Sequence, residues 1–401
     1  MAAVVALFFI WGGLTSLNDI LIPKLKGLFS LSYTEAMLTQ FAFFMAYFIV
    51  SLPAGALIAR VGYLKGIVIG LATMAAGCLM FVPASSSGVY ATFLAALFVL
   101  AGGITILQVA ANPLIANLGD PATSHSRLTL AQAFNSLGTT IFPPIGALVI
   151  LGSMKDVDPR ALAPADRLGF LAREAAVIGH AYVAIAAILL LVALFFLLRR
   201  AAINGGQGET TGLAGSFGLL ANTRLAGGVM SIFLYVGAEV AIGSMLVNYL
   251  GQDRVMGLSQ QAAGALIALY WGGAMVGRFV GAFVLRRFSP GLVLAAVCLG
   301  AIALIGLSGL GSGAVAGYAI LAVGLMNSIM FPTIFSLGVE GMGERTPQGS
   351  GLLCMAIVGG ALIPLLVGAV ADATSLATAL VVPAACYLLI ALYGWSARNP
   401  A

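Results

Sequence analysis

Long apolar stretches, separated by short clusters of polar and charged residues, set the rhythm of this chain. Residues 1 to 18, 36 to 59, 128 to 154, 175 to 198, 255 to 277, 346 to 371 and 373 to 397 hold no Asp, Glu, Lys or Arg. Each suits one crossing of a hydrocarbon core about 30 Å thick, which takes about 20 helical residues. The charge-free runs 66 to 119 and 288 to 339 are too long for one helix. Small-residue breaks at Pro83 to Gly88 and Gly309 to Gly313 divide each in two. Residues 225 to 252 are apolar apart from Glu239 and supply the twelfth span. Strands are not expected, because a membrane barrel alternates polar and apolar positions.

Composition agrees: 61% of the 401 residues are hydrophobic and 8% are charged, against roughly 25% charged in soluble domains. The expected fold is an all-α membrane protein. Lys and Arg concentrate on the side that includes Arg60, Lys65, Arg199, Arg200, Arg286 and Arg287, which places both termini in the cytoplasm. The net charge of +5 then reflects topology and contact with lipid headgroups, and no nucleic-acid partner is expected. The N-terminus lacks a basic segment and a small-residue cleavage site, so it is read as the first helix. Cys78, Cys298, Cys354 and Cys386 stand singly in apolar spans and are read as core residues. No metal or cofactor is expected.

The polar segment 199 to 224, with Asn204-Gly205-Gly206-Gln207-Gly208-Glu209, falls between six spans and six spans. It divides the chain into an N-terminal half, 1 to 198, a cytoplasmic linker, 199 to 224, and a C-terminal half, 225 to 401. A shift of about 220 residues lays Gln108, Pro113 and Leu118-Gly119 on Asn327, Pro332 and Leu337-Gly338 without a gap. Two pseudo-symmetric six-helix bundles follow, enclosing a midplane cavity that opens alternately to either side as the halves rock.

Polar groups inside spans are costly and tend to face a cavity or a partner. Asp19 in the first helix, preceded by Asn18, and Glu239 in the seventh occupy corresponding helices and are the candidate cation-coupling acids. Burial disfavours a charged carboxyl, so such a group can take up a proton, or hold a sodium ion with neighbouring oxygens. Gln108, Gln132, Asn135, Asn248 and Asn327, with Asn18, are candidate substrate contacts. Gln132 and Asn135 lie three apart on one helix face, where two amides can grip adjacent hydroxyls. Trp11, Tyr47, Tyr235, Tyr270 and Trp271 offer rings to stack on a sugar or to pack. Pro113, Pro143, Pro144, Pro332 and Pro364 are expected to bend their helices. Arg60, Arg278, Arg286 and Glu340 are candidate gating or structural charges. Arg278 is placed too close to the cytoplasmic end to serve either acid, and is assigned to Glu340 or Glu344.

Four segments carry a resemblance: LNDIL at 17 to 21, LQVAANP at 107 to 113, LAQAFNSLG at 130 to 138 and YVGAEVAIGSMLVNYLG at 235 to 251. With them the chain resembles the fucose/proton symporter family of the major facilitator superfamily, and more closely its glucose/galactose porter branch. The resemblance implies a multi-pass transporter of a bacterial inner membrane, acting as a monomer. It would move a neutral monosaccharide together with H⁺ or Na⁺, with Asp19 as the coupling acid and Gln132 and Asn135 touching the sugar. Fucose/proton members have a glutamate where Gln108 stands, and a glutamine carries no proton. Ala59 replaces the acid usual before Arg60 in the cytoplasmic loop motif, which predicts a weaker inward gate. The alternative on the same fold is a carrier or exporter of another polar or amphipathic solute. An enzyme is not expected, since His125 and His180 lie apart and no catalytic set is visible. A channel would need a repeated filter, and none is present.

Overall fold

In the computed structural model, the described residues are 1–29, 33–87, 89–146, 164–198 and 213–399, and every regular element among them is helical. In chain order the helices are α1 (Ala2–Phe29), α2 (Tyr33–Val61), α3 (Tyr63–Ser87), α4 (Tyr90–Asn117), α5 (Ser124–Gly146) and α6 (Pro164–Leu198). The short α7 (Leu213–Gly218) follows, then α8 (Thr223–Leu250), α9 (Gln260–Val284) and α10 (Pro290–Leu310). The last three crossings are each split, into α11 (Gly313–Asn327) and α12 (Met330–Val339), α13 (Thr346–Met355) and α14 (Gly359–Ala373), and α15 (Leu376–Ala379) and α16 (Val381–Ser396). These elements make the twelve crossings read from the sequence. Among the described residues ten are long and apolar enough to span a membrane, and Ala2–Ser16 on α1 is a shorter apolar stretch. Residues 199 to 212 of the linker lie outside the described residues, and its remainder forms α7 and a 3-10 turn at Leu219–Ala221.

The packing repeats between the halves. In the first, α1 lies on α5, α2 on α4, and α3 on both α4 and α6. In the second, α8 lies on α14, α9 on α11, and α10 on both α11 and α16. Each pair is the image of its partner when helix one is laid on helix seven. Backbone approach repeats as well: a Cβ at Gly138 on α5 would overlap Phe9 O on α1, and a Cβ at Gly359 on α14 would overlap Phe233 O on α8. Small residues let helices meet where no hydrophobic force separates lipid from protein.

The halves meet through α2 against α13 and α5 against α9, again a symmetric pair of contacts. Both lie on the face that carries the chain termini, because α2 and α9 end there and α5 and α13 begin there. At α2–α13 a Cβ on Gly55 would stand 2.9 Å from Pro347 O, and one on Gly351 would stand 2.7 Å from Ser51 O.

Of the five prolines expected to bend helices, Pro113 sits inside an unbroken α4, whereas Pro332 follows directly on the break between α11 and α12. Pro364 lies within α14, and the neighbouring irregularity is the 3-10 turn Ala356–Val358 that precedes it. Buried Arg127 closes the end of α4. Its guanidinium donates to Ile115 O at 3.2 Å and to Ala116 O in the last turn of α4, and to Asp120 O at 2.6 Å in the loop that follows. Replacing Arg127 by Ala is expected to cost about 2 kcal/mol, because Ala116 O loses its charged donor and the loop its tie to α4, while Ile115 O and Asp120 O keep backbone donors. Thermal unfolding of the purified variant in detergent measures it, and a wild-type melting temperature would refute this role.

Candidate functional site

Two polar clusters form around Gln108 and Asn327, residues that the repeat lays on one another. In the first, Gln108 and Asn112 lie one turn apart on α4, both buried, and Gln132 Nε2 on α5 approaches Asn112 Oδ1 at 3.4 Å. Gln108 Oε1 has no hydrogen-bond partner. A buried amide oxygen left open costs free energy unless something else satisfies it, so this spot suits a polar ligand or water. Asn135, one turn beyond Gln132, donates Nδ2 to Phe8 O at 3.0 Å and so ties α5 to α1. Asn18 and Asp19 lie on α1 in sequence, but their side chains are outside the described residues.

The second cluster surrounds Glu239 on α8. Tyr235, one turn earlier, donates its hydroxyl to Glu239 Oε1 at 2.7 Å and also reaches Asn327 O at 3.1 Å. Asn327 Nδ2 donates to Tyr270 Oη at 2.8 Å, and that hydroxyl lies 3.4 Å from Glu239 O. Tyr387 of α16 completes the group beside Asn327. Asn327 is the repeat partner of Gln108, so each half places an amide at the same position, and in the second Tyr235 and Tyr270 bond to it. Asn248, toward the other end of α8, is exposed and joins neither cluster.

Of the five aromatics offered as sugar platforms, Trp11, Tyr47, Tyr235 and Tyr270 are buried in the helix packing. Trp271 keeps 44% of its surface and stands edge-on to Tyr270 with ring centroids 5.1 Å apart.

Arg278 does not answer Glu340 or Glu344. Its Nε donates to Ser328 O at 3.0 Å, and its Nη1 reaches across to Ser136 Oγ on α5 of the other half. Glu340 pairs instead with Arg224, whose guanidinium also holds Leu337 O at 3.1 Å and Asn399 O at 2.9 Å. That ion pair therefore clamps elements of the second half. Arg286 contributes a second tie between halves: its Nε donates to Ser126 Oγ at 3.1 Å, and Ser126 donates to Ala282 O at 2.6 Å. Arg60 is exposed at the end of α2. The termini face is thus tied by α5 and α9, outside the loop motif that Ala59 alters. Among the described residues no group of His, Cys, Asp and Glu is placed to hold a metal ion.

Sequence reading passed over Asn112, Ser126 and Ser136. Asn112 sits within LQVAANP beside a proline, where an amide one turn from Gln108 was the available signal; the two serines carry no signal without the fold.

Over 398 residues, 98% of this chain and 93% of the relative, the sequence is 48% identical to a glucose/galactose transporter of Brucella abortus biovar 1 (strain 9-941). It is 36% identical to the L-fucose-proton symporter of Escherichia coli (strain K12), over 98% of this chain and 91% of that one. In three dimensions it overlays the crystal structure of a Major Facilitator Superfamily transporter, FucP, in the outward conformation, with a TM-score of 0.90 and 33% identity across 99% of this chain and 98% of that one. The sequence profile of the Major Facilitator Superfamily matches residues 3–363, and the chain belongs to that superfamily.

Proposed function

We propose that this protein is a secondary active transporter of a neutral monosaccharide of the glucose, galactose or fucose class, driven by symport of a cation. The observation that carries this reading is near-full-length similarity to a glucose/galactose transporter and to an L-fucose-proton symporter. The chemistry is compatible: the first cluster offers amides and the second amides and phenols, groups that suit hydroxyls, and Arg278, whose charge acts on Glu239, is occupied by Ser328 and Ser136. A charged substrate would want a free counter-charge. Proton is the favoured coupling ion and sodium the alternative. In this reading Asp19 is the coupling acid of the first half and Glu239 that of the second. Residues 1 to 198 and 225 to 401 rock about the linker at 199 to 224, and the termini face, closed by α2–α13 and α5–α9, is cytoplasmic in a bacterial inner membrane. The unit is a monomer among lipids.

The test is counterflow of radiolabelled glucose, galactose and fucose into proteoliposomes, with pH and sodium gradients imposed separately. At least one sugar is expected to exchange saturably and to accumulate in response to one ion. Asp19→Asn is expected to lose accumulation. No exchange of any of the three sugars overturns the sugar reading.

A further inference from the structure

The break between α11 and α12 leaves Ser328 and Ile329 outside both helices. Pro332 explains one missing bond: it has no N–H, so the carbonyl four residues earlier, that of Ser328, has no helical donor. Arg278 Nε takes that place at 3.0 Å, while the same guanidinium binds Ser136 of the opposite half. The break is seated on α9, where a Cβ at Gly277 would meet Ser328 Cβ at 2.6 Å and one at Gly281 would overlap the Ile329 side chain. The carbonyl just before, that of Asn327, accepts from Tyr235 at 3.1 Å.

Tyr235 Oη faces two acceptors, Asn327 O and Glu239 Oε1, yet a phenol carries one hydrogen. An ionised Glu239 holds that hydrogen in a charge-assisted bond. A protonated Glu239 can itself donate to the phenol oxygen, which frees the phenol hydrogen for Asn327 O. We infer that Tyr235 is a positioning residue that passes the protonation of Glu239 to the break in the tenth crossing, and through Arg278 and Ser136 to the contact between the halves. The inference rests on the coupling role proposed above for Glu239.

The groups facing Glu239 are Tyr235 on its own helix, Tyr270 and Arg278 of α9, Tyr387 of α16 and Asn327 of α11. The other packed elements bring Cys354 on α13, Asp372 at the end of α14, and Tyr393 of α16, which is bound to Arg224 O. Among the described residues, the Tyr235 hydroxyl is the one bonded both to the Glu239 carboxyl and to a carbonyl at the edge of the break; Tyr270 reaches Glu239 only at its backbone oxygen.

The test needs no sugar. Spin labels on Lys65→Cys and Arg287→Cys, exposed positions on the termini face of the two halves, report the separation of the halves once the four buried native cysteines are replaced. The wild-type separation is expected to change with pH. Glu239→Gln is expected to give a distribution of separations that does not change with pH, and Tyr235→Phe, which removes one hydroxyl from an otherwise unchanged ring, to lose the response as well. Pro332→Ala restores the backbone donor to Ser328 O and is expected to loosen Arg278, shifting the separation toward open at all pH values. A Tyr235→Phe protein that keeps the wild-type response, or a wild type that gives none, overturns the inference. Sugar counterflow on the same preparations separates the two failures: a pH response without sugar exchange removes the sugar reading alone, and sugar exchange with an unresponsive contact removes this inference alone.

Discussion

Replacing Glu239 by Gln is expected to abolish uphill sugar accumulation while leaving counterflow present at a reduced rate. One pH unit across the membrane is worth about 1.4 kcal/mol per proton, and so about tenfold accumulation of a sugar carried with one proton. A glutamine has nearly the shape of glutamate and can still accept the Tyr235 hydroxyl bonded at 2.7 Å, but it neither gains nor loses a proton. The accumulation ratio should therefore fall from about ten to about one. A purely structural carboxylate would behave differently: removing its charge would unbalance Arg278 and depress exchange and accumulation together. Accumulation that persists in Glu239→Gln but vanishes in Asp19→Asn would place coupling in the first half alone. Measuring both fluxes in one proteoliposome preparation distinguishes these outcomes.

The weight placed on Glu239 follows from the repeat. Gln108 and Asn327 occupy equivalent positions, and neither can carry a proton. What differs is their company: Gln108 has an open oxygen beside Asn112 and Gln132, whereas Asn327 sits among Tyr235, Tyr270 and Tyr387 with an acid within reach of the same hydroxyl. Duplication supplied two similar amide sites, and divergence left a neutral amide set facing α4 and α5 and a titratable set facing α8. On the function proposed above, this arrangement would weight sugar recognition to the first half and give the second a titratable group beside the coupling acid Asp19.

Span number was legible in the sequence because the cost of placing charge in hydrocarbon governs it, and the repeat because duplication left matched residues such as Gln108 and Pro113 against Asn327 and Pro332. The assignment of Arg278 was not legible. Counting residues from a helix end set it apart from both acids, yet it faces Glu239, and its partners are a carbonyl orphaned by Pro332 on another crossing and Ser136 of the other half, visible only when α9 lies beside the break. The same holds for Asn135, whose spacing from Gln132 suggested a shared ligand and whose amide nitrogen is spent on Phe8 O of α1. Prolines were an uneven guide. Pro332 follows a real break, Pro113 does not interrupt α4, and the turn at Ala356–Val358 contains no proline. Neighbouring helices decide whether a freed carbonyl is satisfied in place or opens the helix.

Gly138→Val and Gly359→Val should each prevent recovery of a monodisperse protein, and for the same reason in opposite halves. At Gly138 a Cβ would overlap Phe9 O and stand 2.8 Å from Gly13 N; at Gly359 it would overlap Phe233 O and stand 2.9 Å from Phe233 Cα. The atoms in the way are backbone, so no rotamer change relieves the clash, and α5 must leave α1 or α14 must leave α8. Overpacking of this kind costs about 3 kcal/mol or more per site. Alanine adds one carbon and valine three, so the loss should rise from Gly to Ala to Val at both positions. Fluorescence-detected size exclusion and melting of the variants provide the measurement. Equal sensitivity at the two sites would mean that the α1–α5 and α8–α14 contacts are matched close approaches inside the two halves of one duplicated unit. A valine tolerated at either site with a wild-type melting temperature would show that pair to be free to separate, and would count against the proposed rocking of two rigid halves.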